Sequence, residues 1–236
     1  MLLMLTATAR EMSSALGNEW VHAPGTFVPI EVHGRPVLAA TTGVGVINAS
    51  LTLGHALAKG NITGVLNLGV AGSFDLSLHP LGSALLVEEE IWPEYGLYAS
   101  GWTCADPGAL GFALGRVGDR RIWDRVTLDV QANLGHMGLC GTQDDESFPQ
   151  AKSITVSGVT GDETRAKALH ARHSVGLENM EGFALAYGCT LAGIPFTELR
   201  TVSNAVGARP PRDWDLPGAL AALGQATATL FNTPKQ

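Results

Sequence analysis

Val65-Leu-Asn-Leu-Gly-Val-Ala-Gly-Ser73 is the stretch on which the architecture turns. Its first six residues are apolar on both faces, as in a central strand of a sheet covered on each side. From Asn67 to Ser73 the residues become small. Ligands of open α/β sheets bind outside the carboxyl ends of strands, and small residues there let one approach the backbone. Close packing of a strand end accounts for the same residues equally well.

Strand and helix patterns alternate outward from this segment. Residues 1–6 read as a strand and 9–17 as a short helix. Val28–His33 and Pro36–Thr42 read as a hairpin around Gly34. Val46–Ala58 has apolar residues at helical spacing, stopped by Gly60-Asn61. Further strands are expected at Ser83–Val87, Ser153–Ser157 and Phe196–Val202. Helices are expected at Asp162–Arg172, Met180–Ala192 and about Pro217–Phe231. Residues 92–150 scatter Pro, Gly and Trp irregularly and yield no assignment. With no linker and no internal repeat, residues 1–236 are expected to form a single-domain, three-layer α/β fold with a central mixed β-sheet flanked by helices.

Composition removes several alternatives. Hydrophobic residues make up 45 % and charged ones 16 % of the 236, which excludes a disordered chain. The 29 glycines exceed the background of about 7 % but have no collagen period. The net charge is −7, and Arg120-Arg121 is the one adjacent cationic pair, so no nucleic-acid partner is expected. The run Glu88-Glu89-Glu90 reads as a solvated strand end. Cys104, Cys140 and Cys189 are widely spaced without C-x-x-C, the pattern of reduced thiols in a cytoplasmic protein. Met1–Leu5 has no basic flank and too few apolar residues for a signal peptide, and reads as a buried strand. No apolar run approaches the ~18–20 residues of a membrane span.

Four short motifs remain. Thr42-Gly-Val-Gly-Val-Ile-Asn48 places two glycines at a strand-to-helix turn, but Asn48 occupies the position of the third glycine of a dinucleotide fingerprint. Asn67–Ser73 is the second. Glu178-Asn-Met-Glu181-Gly-Phe opens an apolar helix, where acidic residues are ordinary dipole partners. Arg200-Thr-Val-Ser-Asn204 leaves the last strand, where a polar pair is commonly a turn or cap. G-x-S-x-G and the P-loop are both missing. His170 and His173 share a helix without a third ligand nearby, so no metal is expected and both read as exposed helix residues.

Together and in this order, the four motifs resemble the nucleoside phosphorylase and nucleosidase superfamily, from Thr6 to about Trp214. The likeness is to its hydrolytic branch, the methylthioadenosine/S-adenosylhomocysteine nucleosidases and futalosine hydrolases. The resemblance implies purine N-glycoside hydrolysis without a cofactor. Glu11 would activate the water, Met180 and Glu181 would hold the ribose, and Gly45, Val70, Ala71 and Gly72 would line the pocket. Val159, Thr160 and Gly161 would meet the purine, with Ser203 and Asn204 beside it. Adenine-specific members carry Asp where this chain has Asn204. An amide donates to a 6-oxo group and accepts from a protonated N7, which favours hypoxanthine and hence futalosine, a substrate of menaquinone biosynthesis. Arg209 or Arg212 would pair with the aromatic carboxylate on the 5′ side of futalosine. No arginine adjoins the Gly43–Gly45 loop, which favours water over phosphate. The family pattern also implies a homodimer or higher homo-oligomer. A methylthioadenosine/S-adenosylhomocysteine nucleosidase, an inosine hydrolase and a non-catalytic nucleoside-binding protein are the alternatives.

Overall fold

In the computed structural model, which describes residues 1–99, 105–143, 146–207 and 214–232, strand β1 (Leu2–Thr6) is buried along its length. It leads directly into α1 (Ala9–Leu16), whose entry is fixed by a reciprocal cap. The Thr8 hydroxyl accepts from the Glu11 N–H, and the Glu11 carboxylate accepts from the Thr8 N–H. β2 (Val28–Val32) and β3 (Arg35–Thr41) form the expected antiparallel hairpin. α2 (Val46–Ala58), β4 (Gly64–Ser73) and β5 (Ala84–Ile91) follow.

The stretch without periodicity holds small elements: α3 (Pro107–Leu110), β6 (Gly115–Val117), β7 (Arg120–Ile122), β8 (Arg125–Thr127) and α4 (Val130–Met137). Two-residue strands β9 (Thr142–Gln143) and β10 (Glu146–Ser147) complete it. Regular structure resumes with β11 (Gln150–Thr155), α5 (Glu163–His173), β12 (Leu177–Asn179), α6 (Gly182–Ala192), β13 (Phe196–Ala205) and α7 (Leu216–Phe231). The helix expected from Met180 starts two residues later. Leu177–Asn179 is spent on a buried strand, and Glu181 stands at the N-cap of α6.

Among the described residues the main sheet has nine strands, in the order β12-β11-β5-β13-β4-β1-β3-β2, with β8 added beside β5. β3, β1, β4 and β13 run parallel, while β5 runs against β13, so the sheet is mixed as expected. β12 also returns to pair with the end of β4, Glu178 opposite Gly72. Helices α1, α4 and α7 pack on one face with Met4, Leu66, Leu68 and Leu199. α2 and α6 cover the other, over Val65, Ala71, Leu85 and Val202. The alternation of β4 between the two clusters is the two-sided burial read from its sequence.

Two expectations fail. The run Glu88–Glu90 is not a solvated strand end, because β5 continues through it to Ile91; Glu89 is buried and Glu90 fully so. His173 is buried rather than exposed, and burial followed by the neighbouring Arg125 holds its imidazole below the ordinary histidine range. His170 is exposed, as expected, with Nδ1 2.8 Å from the Val175 carbonyl. Cys189 is a buried free thiol. Cys104 lies outside the described residues.

α7 meets α1 at Gly224, where an added Cβ would stand 2.6 Å from the Ser14 carbonyl oxygen. Backbone cannot rotate away, so the helices would have to part. Overpacking of this kind costs about 1–3 kcal/mol, against a gain of up to ~1 kcal/mol from better helix propensity. Gly224→Ala is therefore expected to lower the melting temperature by a few degrees. An unchanged or higher midpoint in thermal unfolding would show that the contact is loose.

Candidate active site

The segments following β1 and β12 and the C-terminal ends of β4, β12 and β13 wall a largely apolar cleft of about 340 Å³, bearing three carboxylates: Glu11, Glu178 and Glu181. Glu11 is held by its own helix cap. Its Oε2 accepts from the Thr8 N–H at 2.9 Å and from the Thr8 hydroxyl at 2.7 Å, and its Oε1 accepts from the Val70 N–H at 3.0 Å. An ionised carboxylate has about four acceptor positions. Three are filled by these fixed donors, which leaves one for a molecule in the cleft.

Glu181 is held from the glycine turn. Gly45 has a φ of +96°, a conformation side-chain-bearing residues rarely adopt, and its N–H donates to Glu181 Oε1 at 2.9 Å. The backbone donor of this loop is thus used on a protein carboxylate. Glu181 Oε2 lies 3.7 Å from Arg200 Nη2. Burial raises the Glu181 pKa above the ordinary carboxylate range, while Arg200 and the Gly45 N–H pull it back.

Arg200 joins the parts of the site. It is 1 % exposed, donates from Nε to Glu198 Oε1 at 2.6 Å and from Nη1 to the Val70 carbonyl at 3.3 Å. Burial opposes its charge, but Glu198, Glu181 and Glu11 outweigh that and raise its pKa further. Gly69 makes the arrangement possible. A Cβ there would come 2.8 Å from Glu11 Oε1 and would run into the Arg200 guanidinium.

Behind Arg200, two glutamates lie beneath the start of α6. Glu90 accepts from the Thr155 hydroxyl and from Asn179 Nδ2, both at 2.6 Å. Asn179 Oδ1 accepts from the N–H groups of Glu181 at 2.8 Å and Gly182 at 2.7 Å. Burial, and then the charge of Glu198, raise the Glu90 pKa well above the ordinary range. Burial also raises that of Glu198, although Arg200 draws it back. Burial and the Glu198 charge both favour the protonated form of Glu90, whereas the Arg200 guanidinium favours the ionised form of Glu198.

A recess of about 50 Å³ continues the cleft between Gly72, Val159, Thr160, Glu178, Asn179, Asn204 and Trp214. Glu178 Oε1 accepts from the Thr160 N–H at 2.9 Å. Arg165 Nε donates to Thr160 Oγ1 at 3.3 Å, and Arg165 also meets Glu94, which accepts from the Ser157 N–H. The 157–160 loop is thereby tied down at both ends. Asn204 Oδ1 accepts from the Ser203 hydroxyl at 2.8 Å and its Nδ2 donates to the Ala205 carbonyl at 3.0 Å. One N–H and one lone pair of the amide remain for a ligand.

Most of the residues named from sequence therefore come together. Glu11, Val70, Ala71, Gly72, Val159, Met180, Glu181, Ser203 and Asn204 line the cleft, and Thr160 lines the recess. Gly45 acts through Glu181, and Gly161 lines neither space. Arg209 and Arg212 lie outside the described residues. Sequence reasoning overlooked Glu178, Arg10 and the wall formed by Leu216 and Leu220. Glu178 carried a usable signal, a charge beside a buried apolar segment, but the adjoining Met-Glu pair drew the attention. Among the described residues no group of three or more His, Cys, Asp or Glu side chains is placed to hold a metal ion.

Likeness to known proteins makes this a nucleoside-cleaving α/β enzyme, an N-glycosidase. The sequence model of the Phosphorylase superfamily matches residues 6–91. A futalosine hydrolase of Thermus thermophilus is 34 % identical over 191 residues, 80 % of this chain and 79 % of that protein. The native structure of futalosine hydrolase of Helicobacter pylori superposes with a TM-score of 0.67 at 17 % identity, over 96 % of each chain. A methylthioadenosine/S-adenosylhomocysteine nucleosidase of Colwellia psychrerythraea, solved with adenine, gives 0.72 at 20 % identity, over 96 % of this chain and 91 % of that one. The chain belongs to the futalosine hydrolase family within the phosphorylase superfamily.

The buried Glu90 has a measurable consequence. Above the ordinary glutamate pKa of about 4.3, the unfolded chain releases a proton that native Glu90 retains. The native state then binds more protons, so this group's contribution to stability falls as pH rises towards its raised pKa. Glu90→Gln removes the proton from the balance. Its stability relative to wild type is expected to improve between pH ~5 and ~8, measured by denaturant unfolding. A difference independent of pH would mean that Glu90 is ionised in the native protein.

Proposed function

We propose that this chain hydrolyses the N-glycosidic bond of futalosine and releases hypoxanthine, a step of menaquinone biosynthesis. The observation that carries the reading is Asn204 on the wall of a cleft that also holds the fixed pair Glu11 and Glu181. The remaining acceptor position of Glu11 takes a proton from water as it attacks the anomeric carbon. Glu181 accepts from the ribose hydroxyls, and its charge stabilises the oxocarbenium-like ring. Asn204 donates to O6 of the departing base and accepts from N7–H. As a neutral amide it cannot itself supply that proton.

Water rather than phosphate is the acceptor in this reading. Arg200 is committed to Glu198, Glu181 and the Val70 carbonyl, and Arg10 is the one cation lining the cleft among the described residues. Arg10 then suits the aromatic carboxylate on the 5′ side of futalosine, with Val44, Leu216 and Trp214 supplying apolar wall. Arg209 remains a second candidate for that anchor. The chain would work as a single-domain protomer of a cytoplasmic homodimer, for which exposed Ile47 and Leu51 on α2 offer an apolar contact.

The reading is tested in phosphate-free buffer with futalosine, aminofutalosine, inosine and methylthioadenosine, by detecting the free base. Futalosine is expected to be cleaved with the highest kcat/KM; equal or faster cleavage of methylthioadenosine would favour the adenine-specific relatives. Glu11→Ala is expected to lower turnover by about 10²–10⁴-fold, and retention within tenfold would remove its role as base. Asn204→Asp is expected to shift preference towards 6-amino nucleosides. An unchanged ratio of futalosine to aminofutalosine turnover would show that this position does not read the base.

A further inference from the structure

Gly72 lies between two polar side chains in adjacent strands. In register it stands opposite Glu178 of β12 on one side and Asn204 of β13 on the other. Directly opposed residues project to the same face, and strands are spaced ~4.8 Å apart. Glu178 and Asn204 therefore rise from positions about 10 Å apart, with no side chain between them. A Cβ at Gly72 would come 3.0 Å from Asn204 Nδ2 and 2.9 Å from Val206 Cγ2, closing the gap.

Glu178 is 6 % exposed, and only half of its carboxyl is accounted for. Oε1 takes the Thr160 N–H, whereas Oε2 has no hydrogen-bond partner among the described residues. An unmatched buried carboxylate oxygen is costly, on the order of 1–3 kcal/mol or more. Glu178 lines the recess together with Asn204, where the donor of a ligand would supply the missing partner.

We propose that Glu178 is the specificity-determining residue for the six-membered ring of the base, accepting the N1–H of a 6-oxopurine while Asn204 holds O6 and N7. This rests on reading the cleft as a purine nucleoside site. A 6-oxopurine carries a donor at N1, whereas a 6-aminopurine carries a lone pair there that an ionised carboxylate repels. Protonating Glu178 reverses the preference, since the acid then donates to N1 of the 6-aminopurine. Burial raises the Glu178 pKa; the Thr160 hydroxyl and N–H and the charge of Arg165 oppose the shift, and Glu94 adds to it. A ligand N1–H favours the ionised form.

Free hypoxanthine and adenine test this by calorimetric titration into the whole protein, independently of any turnover. Wild type is expected to bind hypoxanthine about 10–100-fold more tightly than adenine, the range of a hydrogen bond to a charged group. In Glu178→Gln the amide oxygen can keep the Thr160 N–H, which turns the NH2 towards N1, so the preference should invert towards adenine. A folded Glu178→Gln protein with an unchanged ratio would overturn the proposal. Should the variant not fold, wild type decides alone: adenine bound as tightly as hypoxanthine, or more tightly, at neutral pH would overturn it. Hypoxanthine selectivity that follows Glu178 without futalosine cleavage would overturn the proposed reaction and leave the base-reading role in place.

Discussion

One guanidinium, buried in the last strand of the sheet, organises the catalytic end of this molecule. Arg200 binds Glu198 directly, lies beside Glu181 and donates to the carbonyl of Val70, whose N–H holds Glu11. The carboxylates of Glu11 and Glu181 are therefore both positioned from a single point on β13. Removing a charge from water costs several kcal/mol unless it is paired. The surrounding carboxylates offset that cost, and the same pairing fixes their geometry. Under the start of α6, burial and the neighbouring Glu198 charge push the Glu90 pKa well above the ordinary range.

This demand explains the small residues of the site better than ligand contact does. Gly69 leaves room for Arg200 and Glu11, and Gly182 for the carboxyl groups of Glu90 and Glu198. Gly45 offers its N–H to Glu181. Gly72 is the exception, since the space it leaves is open to a ligand between Glu178 and Asn204. Two of the four loop glycines that suggested close approach of a nucleoside instead serve close approach of protein to protein.

Much of the fold was legible because long-period patterns report burial directly. β4, α2, β13 and α7 all appear near their expected positions. The elements between residues 92 and 150 were not legible, since strands of two or three residues and one-turn helices are shorter than any hydrophobic period. Glu88–Glu90 misled for a different reason. Local sequence says that three acids should be solvated, and only the approach of Arg200, Thr155 and Asn179 makes burial of Glu90 tolerable. Glu11 and Glu181 were reached through the resemblance of motifs, because an acid in a first helical turn or at a helix start is ordinarily structural.

By itself, the sequence determined the three-layer α/β plan, the absence of a dinucleotide or P-loop fingerprint, and the amide at position 204, because each depends on residues close together in the chain. Only the tertiary structure decided how the carboxylates divide their work. Glu11, Glu90, the Glu178/Glu181 pair and Glu198 come from four separate segments, and the acceptor positions they leave free depend largely on partners distant in the chain. Those partners are brought within hydrogen-bonding distance by strand pairing, a long-range property that no local pattern encodes.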